Sequence, residues 1–245
     1  MTEPAHRRRV PSRPRSPRGT LNLWLATLLG TLALAAAAIG GSASAHARGA
    51  TISPGDEIDT VEAHDGTRCT LGYTFADPGT NINYGITAGH CNKGPSGHVV
   101  DRTTGAAGHF VLTVATPGDS LQDDYGLIDF GSHHSVRTMY GMPVTGISAP
   151  DPHKAVCHDG IRTGIACGSL GDRLFGSQYL TTGMAESIPG DSGGPVWQLN
   201  HDNAGTANVI GIWLGEHHET STSHAGRFIS LTDVLVNVAG KTHVL

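Results

Sequence analysis

Gly190-Asp191-Ser192-Gly193-Gly194-Pro195 places one hydroxyl in the middle of a turn with too many glycines for a strand interior. A nucleophilic serine needs such a setting. Its Oγ must project into solvent while backbone N–H groups converge where a carbonyl oxygen becomes an oxyanion, and glycine lets the main chain approach that closely. Upstream, Thr87-Ala88-Gly89-His90-Cys91 sets a histidine at the end of an apolar run, beside a cysteine that can be tied to a neighbouring strand. That is a rigid mounting for a general base. Taken singly, the first motif reads as a tight turn and the second as a hydrogen-bonded core histidine. Together they supply the Ser–His pair of nucleophilic catalysis. The pair needs a carboxylate to fix the imidazole tautomer, and Asp101, Asp123, Asp124 and Asp129 all lie between His90 and Ser192.

The elements that must hold these residues read as strands. Gly and Thr are abundant, Lys is rare, and no long stretch repeats apolar residues at helical spacing. Short apolar or alternating runs recur between turn signals at Thr70 to Phe75, Ile82 to Ala88, Phe110 to Val114, Tyr125 to Phe130, Val209 to Leu214 and Phe228 to Leu231. Such spacing suggests a sandwich or barrel. Only the end reads as helix, with Thr232 as cap, Val234, Leu235 and Val238 on one face, and Gly240 as the stop. The proline-bearing stretch from Gly141 to His153 reads as a loop between two halves, about 51–145 and 146–245.

The four cysteines are Cys69, Cys91, Cys157 and Cys167. An even number is expected to form disulfides in an oxidising compartment, with three pairings open to four cysteines, and no two have the short spacing of a zinc ribbon. Pairing Cys69 with Cys91 and Cys157 with Cys167 closes short local loops, the first of them stapling the histidine's mount.

The first eighteen residues carry six arginines, and Leu21 to Ile39 is apolar, followed by Ala43-Ser44-Ala45 and Ala45-His46-Ala47. This is the layout of an export leader over 1–47, cut after Ala45 or Ala47, with the working domain over 48–245. A retained anchor is the alternative, since the run is about the ~20 residues a spanning helix needs. Leaving out those six arginines and Glu3, ten basic and twenty acidic residues remain, a net charge near −10. That balance opposes nucleic-acid binding, where Lys and Arg supply most of the affinity. The expected product is secreted, cell-surface or periplasmic, monomeric, and in contact with membrane only through its leader.

The motifs around His90 and Ser192 resemble those of chymotrypsin-like serine proteases, in that family's chain order, above all the bacterial streptogrisin-type members. The similarity extends through Ile52-Ser53-Pro54-Gly55-Asp56, Arg68-Cys69-Thr70-Leu71-Gly72-Tyr73, Asp124-Tyr125-Gly126-Leu127-Ile128, Cys157 to Gly168 and Phe228 to Leu235. It implies an all-β chain of two packed antiparallel Greek-key β-barrels with a short C-terminal helix and the site between them. It also implies a serine endopeptidase acting on peptide or protein substrates without a cofactor or metal. Asp124 then stands where the family's pattern puts the acid, with Asp123 as fallback, and strand alternation turns Asp129 to the opposite face.

By the same resemblance, the N–H groups of Gly190 and Ser192 form the oxyanion hole, and Asp191 is buried beside a cation, here His158 or Arg162. The pocket walls fall at Glu186 to Pro189 and at Leu214, Gly215 and Glu216. Relatives commonly have glycine at the last position. A glutamate there predicts refusal of acidic residues at the cleavage position, with basic or small ones accepted; a preference for Glu would instead point to His217 or His218. Relatives often carry a disulfide near the nucleophile, whereas Gly183 to Ile188 has no cysteine, so a looser or differently shaped pocket is expected. They are also usually made with a pro-segment, yet little separates Ala47 from Ile52.

Two other classes compete. A catalytically inert relative would bind a partner through the cleft. A secreted α/β-hydrolase-type esterase would use Gly190-x-Ser192-x-Gly194 as its elbow, but it needs a Ser, acid, His order and alternating helices. His133-His134 and His217-His218-Glu219 suggest metal binding only weakly, because adjacent strand residues point to opposite faces.

Overall fold

The short apolar runs form strands that curl into two sheets. The computed structural model describes residues 49–61, 68–116, 122–200, 202–203, 205–218 and 224–245. The leader expected over 1–47 lies outside them. In chain order the strands are β1 (Thr51–Ile52), β2 (Glu57–Thr60), β3 (Arg68–Thr70), β4 (Tyr73–Ala76), β5 (Asn83–Thr87), β6 (His98–Asp101), β7 (Ala107–Val114), β8 (Tyr125–Asp129) and β9 (His134–Ser135). They continue as β10 (Thr138–Met139), β11 (Met142–Ile147), β12 (Ala155–Gly160), β13 (Gly164–Phe175), β14 (Gln178–Thr182), β15 (Pro195–Leu199), β16 (Ala207–His218) and β17 (His224–Ser230). A 3-10 turn, Gly89–Cys91, follows β5, and helix α1 (Leu231–Thr242) closes the chain.

The first sheet has the order β3-β2-β6-β7-β8-β5-β4. Its edges β3 and β4 are consecutive in the chain and joined by Leu71-Gly72, so the sheet curls into a half-barrel that meets itself through a corner. The run read as one strand from Thr70 to Phe75 is broken at that corner. A Cβ on Gly72 would collide with the carbonyl of Gly193, so the break is where the serine loop comes close. In the second sheet, β16-β15-β12-β13-β14-β17 closes through the β16–β17 pairing into a six-stranded barrel. The chain is therefore all-β with one short terminal helix, and the described residues lack the layered helices that a doubly wound esterase requires.

Three details differ from expectation. The stretch expected as a loop from Gly141 contains β11, which runs parallel to β16, so the chain enters the second sheet at β10. Its proline, Pro143, sits at the end of the β10–β11 hairpin opposite Thr138. The helix is capped by Ser230, whose hydroxyl accepts from the Asp233 N–H, not by Thr232, and it runs through Gly240 to His243 in a left-handed conformation (φ 58°).

Leu71, Ile86 and Leu127 of the first sheet join Ile212 and Ile229 of the second in one buried cluster. The interior of the closed barrel is a separate cluster of Val156, Val196, Ile210, Trp213 and Phe228. The cysteines pair Cys69–Cys91 and Cys157–Cys167. No helix among the described residues is long and apolar enough to cross a membrane.

Candidate active site

Strands β5 and β8 are antiparallel neighbours with Thr87 opposite Gly126, so the end of one lies beside the start of the other. His90, three residues beyond Thr87, thereby meets Asp124, two residues before Gly126. One carboxylate oxygen accepts from the His90 backbone N–H at 2.8 Å, and the other lies 2.6 Å from the ring Nδ1. The carboxylate thus fixes both the mount and the ring. Burial alone would raise the pKa of Asp124, but the His90 ring bond and charge, the His90 N–H and the charge of Arg227 together hold it below the ordinary value. Two of the other acids are engaged elsewhere: Asp101 accepts from the N–H groups of Thr103 and Thr104, and Asp129 from that of Gly131.

The serine loop between β14 and β15 packs on the histidine's mount. The Ser192 carbonyl accepts from the Thr70 N–H at 2.8 Å and lies 3.9 Å from Cys91 Sγ. Thr70 also donates its hydroxyl to the Gly190 carbonyl at 2.9 Å, accepts from Ile161 N–H at 3.1 Å, and receives the Thr87 hydroxyl on its own carbonyl at 2.8 Å. Only glycine fits at 193, where φ is +87° and a Cβ would strike the Thr87 hydroxyl. Asp191, Gly193 and Gly194 spend their N–H groups on Ile188, Trp213 and Asp191 carbonyls. Those of Gly190 and Ser192 have no acceptor among the described residues, as an oxyanion site requires. The Ser192 hydroxyl makes no hydrogen bond among the described residues, so the structure brings the serine loop and the base's mount together without closing the Ser–His bond.

Asp191 is fully buried and forms no ion pair with His158 or Arg162 among the described residues, although its charge acts on the nearby His158 ring, raising a pKa that burial lowers. Its carboxylate accepts from the N–H groups of Arg162, Thr163 and Ile188 and from the Thr163 hydroxyl, all within 3.1 Å. Arg162 contributes only backbone here. His158 is also fully buried and stacks on Trp213 with ring centroids 3.9 Å apart and planes 8° from parallel. Three backbone N–H groups and one hydroxyl suffice because several hydrogen bonds to an ionised carboxylate offset its desolvation.

Of the expected pocket residues, Glu186 and Pro189 are exposed and Leu214 is buried. Gly215 has φ +107°. Glu216 points inward, accepting from Ser187 N–H at 2.8 Å and reaching His224 Nδ1 at 3.3 Å. Thr70, Ser187 and Arg227 were not singled out from sequence. Arg227 is buried on β17 and donates to Gln178 at 3.2 Å; burial lowers its pKa while the charge of Asp124 opposes that shift. The one cluster of potential metal donors among the described residues is Cys69, His90 and Cys91, and its two sulfurs are bonded to each other. That leaves no thiolate to ligate an ion.

The fold is that of the bacterial chymotrypsin-like serine proteases. The chain is 34% identical to the uncharacterized protein Rv1815 of Mycobacterium tuberculosis over 194 residues, which are 75% of this chain and 81% of that protein. Its fold is similar to that of a Nocardiopsis protease at 23% identity, with TM-score 0.55 and coverage of 76% of this chain and 96% of that one. It is also similar to a Cellulomonas bogoriensis chymotrypsin at 25% identity, with TM-score 0.53 and coverage of 77% and 96%. A glutamic-acid-specific serine protease, described as using a histidine triad in substrate binding, aligns at 20% identity with TM-score 0.57, covering 77% and 98%. No family model matches the chain.

Proposed function

We propose that the protein is an exported serine endopeptidase with Ser192 as nucleophile, His90 as general base and Asp124 as the carboxylate that orients it. The observation that carries this reading is the double grip of Asp124 on His90, at the ring Nδ1 and at the backbone N–H. A carboxylate so placed leaves Nε2 as the acceptor and stabilises the imidazolium that forms when it takes a proton.

Ser192 Oγ attacks the scissile carbonyl as its proton passes to His90 Nε2. The developing oxyanion is received by the N–H groups of Gly190 and Ser192, and His90 then protonates the leaving amine. Water activated by His90 releases the acyl group from Ser192. Two disulfides favour an oxidising compartment outside the cytosol.

A catalytically inert relative is the second reading, and the unbonded Ser192 hydroxyl is the observation on its side. Catalytic hydrogen bonds are often long or misaligned before substrate arrives, so that observation does not decide against the protease. A glutamate-selective pocket, as described for one structural neighbour, is disfavoured. His158 and His224 flank this site, but the carboxylate between them belongs to the protein's own Glu216. Labelling of Ser192 by a fluorophosphonate, with peptide hydrolysis lost in Ser192→Ala and His90→Ala, is the expected result. Unchanged hydrolysis by Ser192→Ala would overturn the reading.

A further inference from the structure

The resemblance to chymotrypsin-like proteases puts the acyl-side pocket between two walls, the Glu186 to Pro189 stretch of the serine loop and the strand edge at Leu214 to Glu216. In this protein the walls are joined. Trp213 Nε1 donates to Ser187 Oγ at 3.0 Å, and Ser187 N–H donates to Glu216 Oε1 at 2.8 Å. The second Glu216 oxygen is 3.3 Å from His224 Nδ1. One face of the indole lies on the His158 ring, whose two nitrogens have no hydrogen-bond partner, and its far edge lies against the backbone of Gly226.

An open pocket exposes the atoms that line it to water. Here Trp213 and His158 are 0% exposed, Ser187 is 8% exposed and the Glu216 side chain 8%. The space between the walls is therefore occupied by the protein itself. We propose that Trp213 and Glu216 fill the acyl-side pocket, so that this enzyme cleaves after residues with little or no side chain: glycine, alanine or serine. This rests on the protease reading above.

Admitting Phe or Leu would require moving an indole packed between the His158 ring and Gly226 and breaking both bonds at Ser187. Admitting Lys or Arg would also require Glu216 to give up the Ser187 N–H and the His224 ring, since both of its oxygens are engaged. A glutamate side chain would meet the Glu216 carboxylate, and the two charges would repel in a site with little water. Glycine, alanine and serine ask for none of these changes.

The test is hydrolysis of internally quenched peptides that vary only at the acyl-side residue, using protein exported from the full-length chain. The expected kcat/KM after Gly, Ala or Ser is at least about tenfold above that after Phe, Leu, Lys, Arg or Glu. Glu216→Gly is expected to shift the Phe-to-Ala ratio toward Phe by a similar factor. Trp213→Val should do the same if the first variant does not fold. Wild-type cleavage after Phe, Leu or Lys as fast as after Ala, abolished by Ser192→Ala, would overturn the filled pocket and leave the protease reading standing. No Ser192-dependent cleavage of any peptide, together with no fluorophosphonate labelling, would overturn both.

Discussion

The hydroxyl of Thr70 donates to the carbonyl oxygen of Gly190 at 2.9 Å, joining the first sheet to the loop of the second that carries Ser192. The same residue holds the Ser192 carbonyl through its backbone N–H. Thr70 is fully buried, so replacing it by Val would leave the Gly190 carbonyl and the Ile161 N–H without that partner. Such loss costs about 1–3 kcal/mol. If that strain falls on the geometry of the serine loop, kcat drops roughly tenfold or more while KM changes little. Thr70→Ser should keep most of the activity. Equal kcat in wild type and Thr70→Val would show that the loop is positioned without this bond.

Asp124→Asn should keep the fold and lose turnover. The amide can still accept one bond from the His90 N–H, but it can present a donor to Nδ1, which turns the imidazole to the wrong tautomer. The expected fall in kcat is on the order of 10⁴. Peptide hydrolysis measured beside thermal melting separates this from unfolding. An unshifted melt with activity within tenfold of wild type would remove Asp124 from the triad.

The local parts of this arrangement were legible in the sequence, and the long-range parts were not. His90 and Ser192 each sit in a contiguous motif whose glycine and cysteine neighbours have a local physical purpose. Asp124 was one of several acids until the family pattern and the β5–β8 pairing singled it out. The donors to Asp191 are the Thr163 hydroxyl and backbone N–H groups at Arg162, Thr163 and Ile188, and backbone donors leave no mark in residue type. A cation was therefore expected where none is used. Strand β13 carries Gly168, Gly171 and an Asp172-Arg173 pair, so no apolar alternation announced it; its pairing with β12 and β14 makes it a strand. Thr70 and Ser187 act across 120 and 29 residues of chain respectively, and nothing in their immediate neighbours points to those partners.

The Cys69–Cys91 disulfide closes a loop with a sequence separation of 22 and ties β3 to the turn that carries His90. Replacing both cysteines by serine is expected to lower stability by roughly 3 kcal/mol, chiefly by freeing the unfolded chain. Activity should fall further than the melting temperature alone implies, because the base loses its anchor. A double variant with wild-type kcat below its melting transition would show that Asp124 alone fixes His90.

Asp56 makes stability depend on pH in a direction opposite to that of a paired acid. It lies almost buried beside the fully buried Asp101. Burial first, and then the charge of Asp101, push its pKa up from 3.8 to about 7. The folded protein therefore binds a proton that the unfolded chain has released across that interval, so this group's contribution is full below about pH 4 and is lost as pH rises toward 7. Asp159, raised to about 6 chiefly by burial, titrates over the same range, and burial lowers the pKa of His158. The quantity to measure is thus the stability of Asp56→Asn minus that of wild type at each pH. The amide carries no charge at any pH, so the difference should be small near pH 4 and should favour the variant by on the order of 2–4 kcal/mol at pH 8. Denaturant melts of both proteins at intervals between pH 4 and 8 give the curve. A difference that stays flat across that range would mean Asp56 is ionised throughout and finds a counter-charge or water in the folded protein.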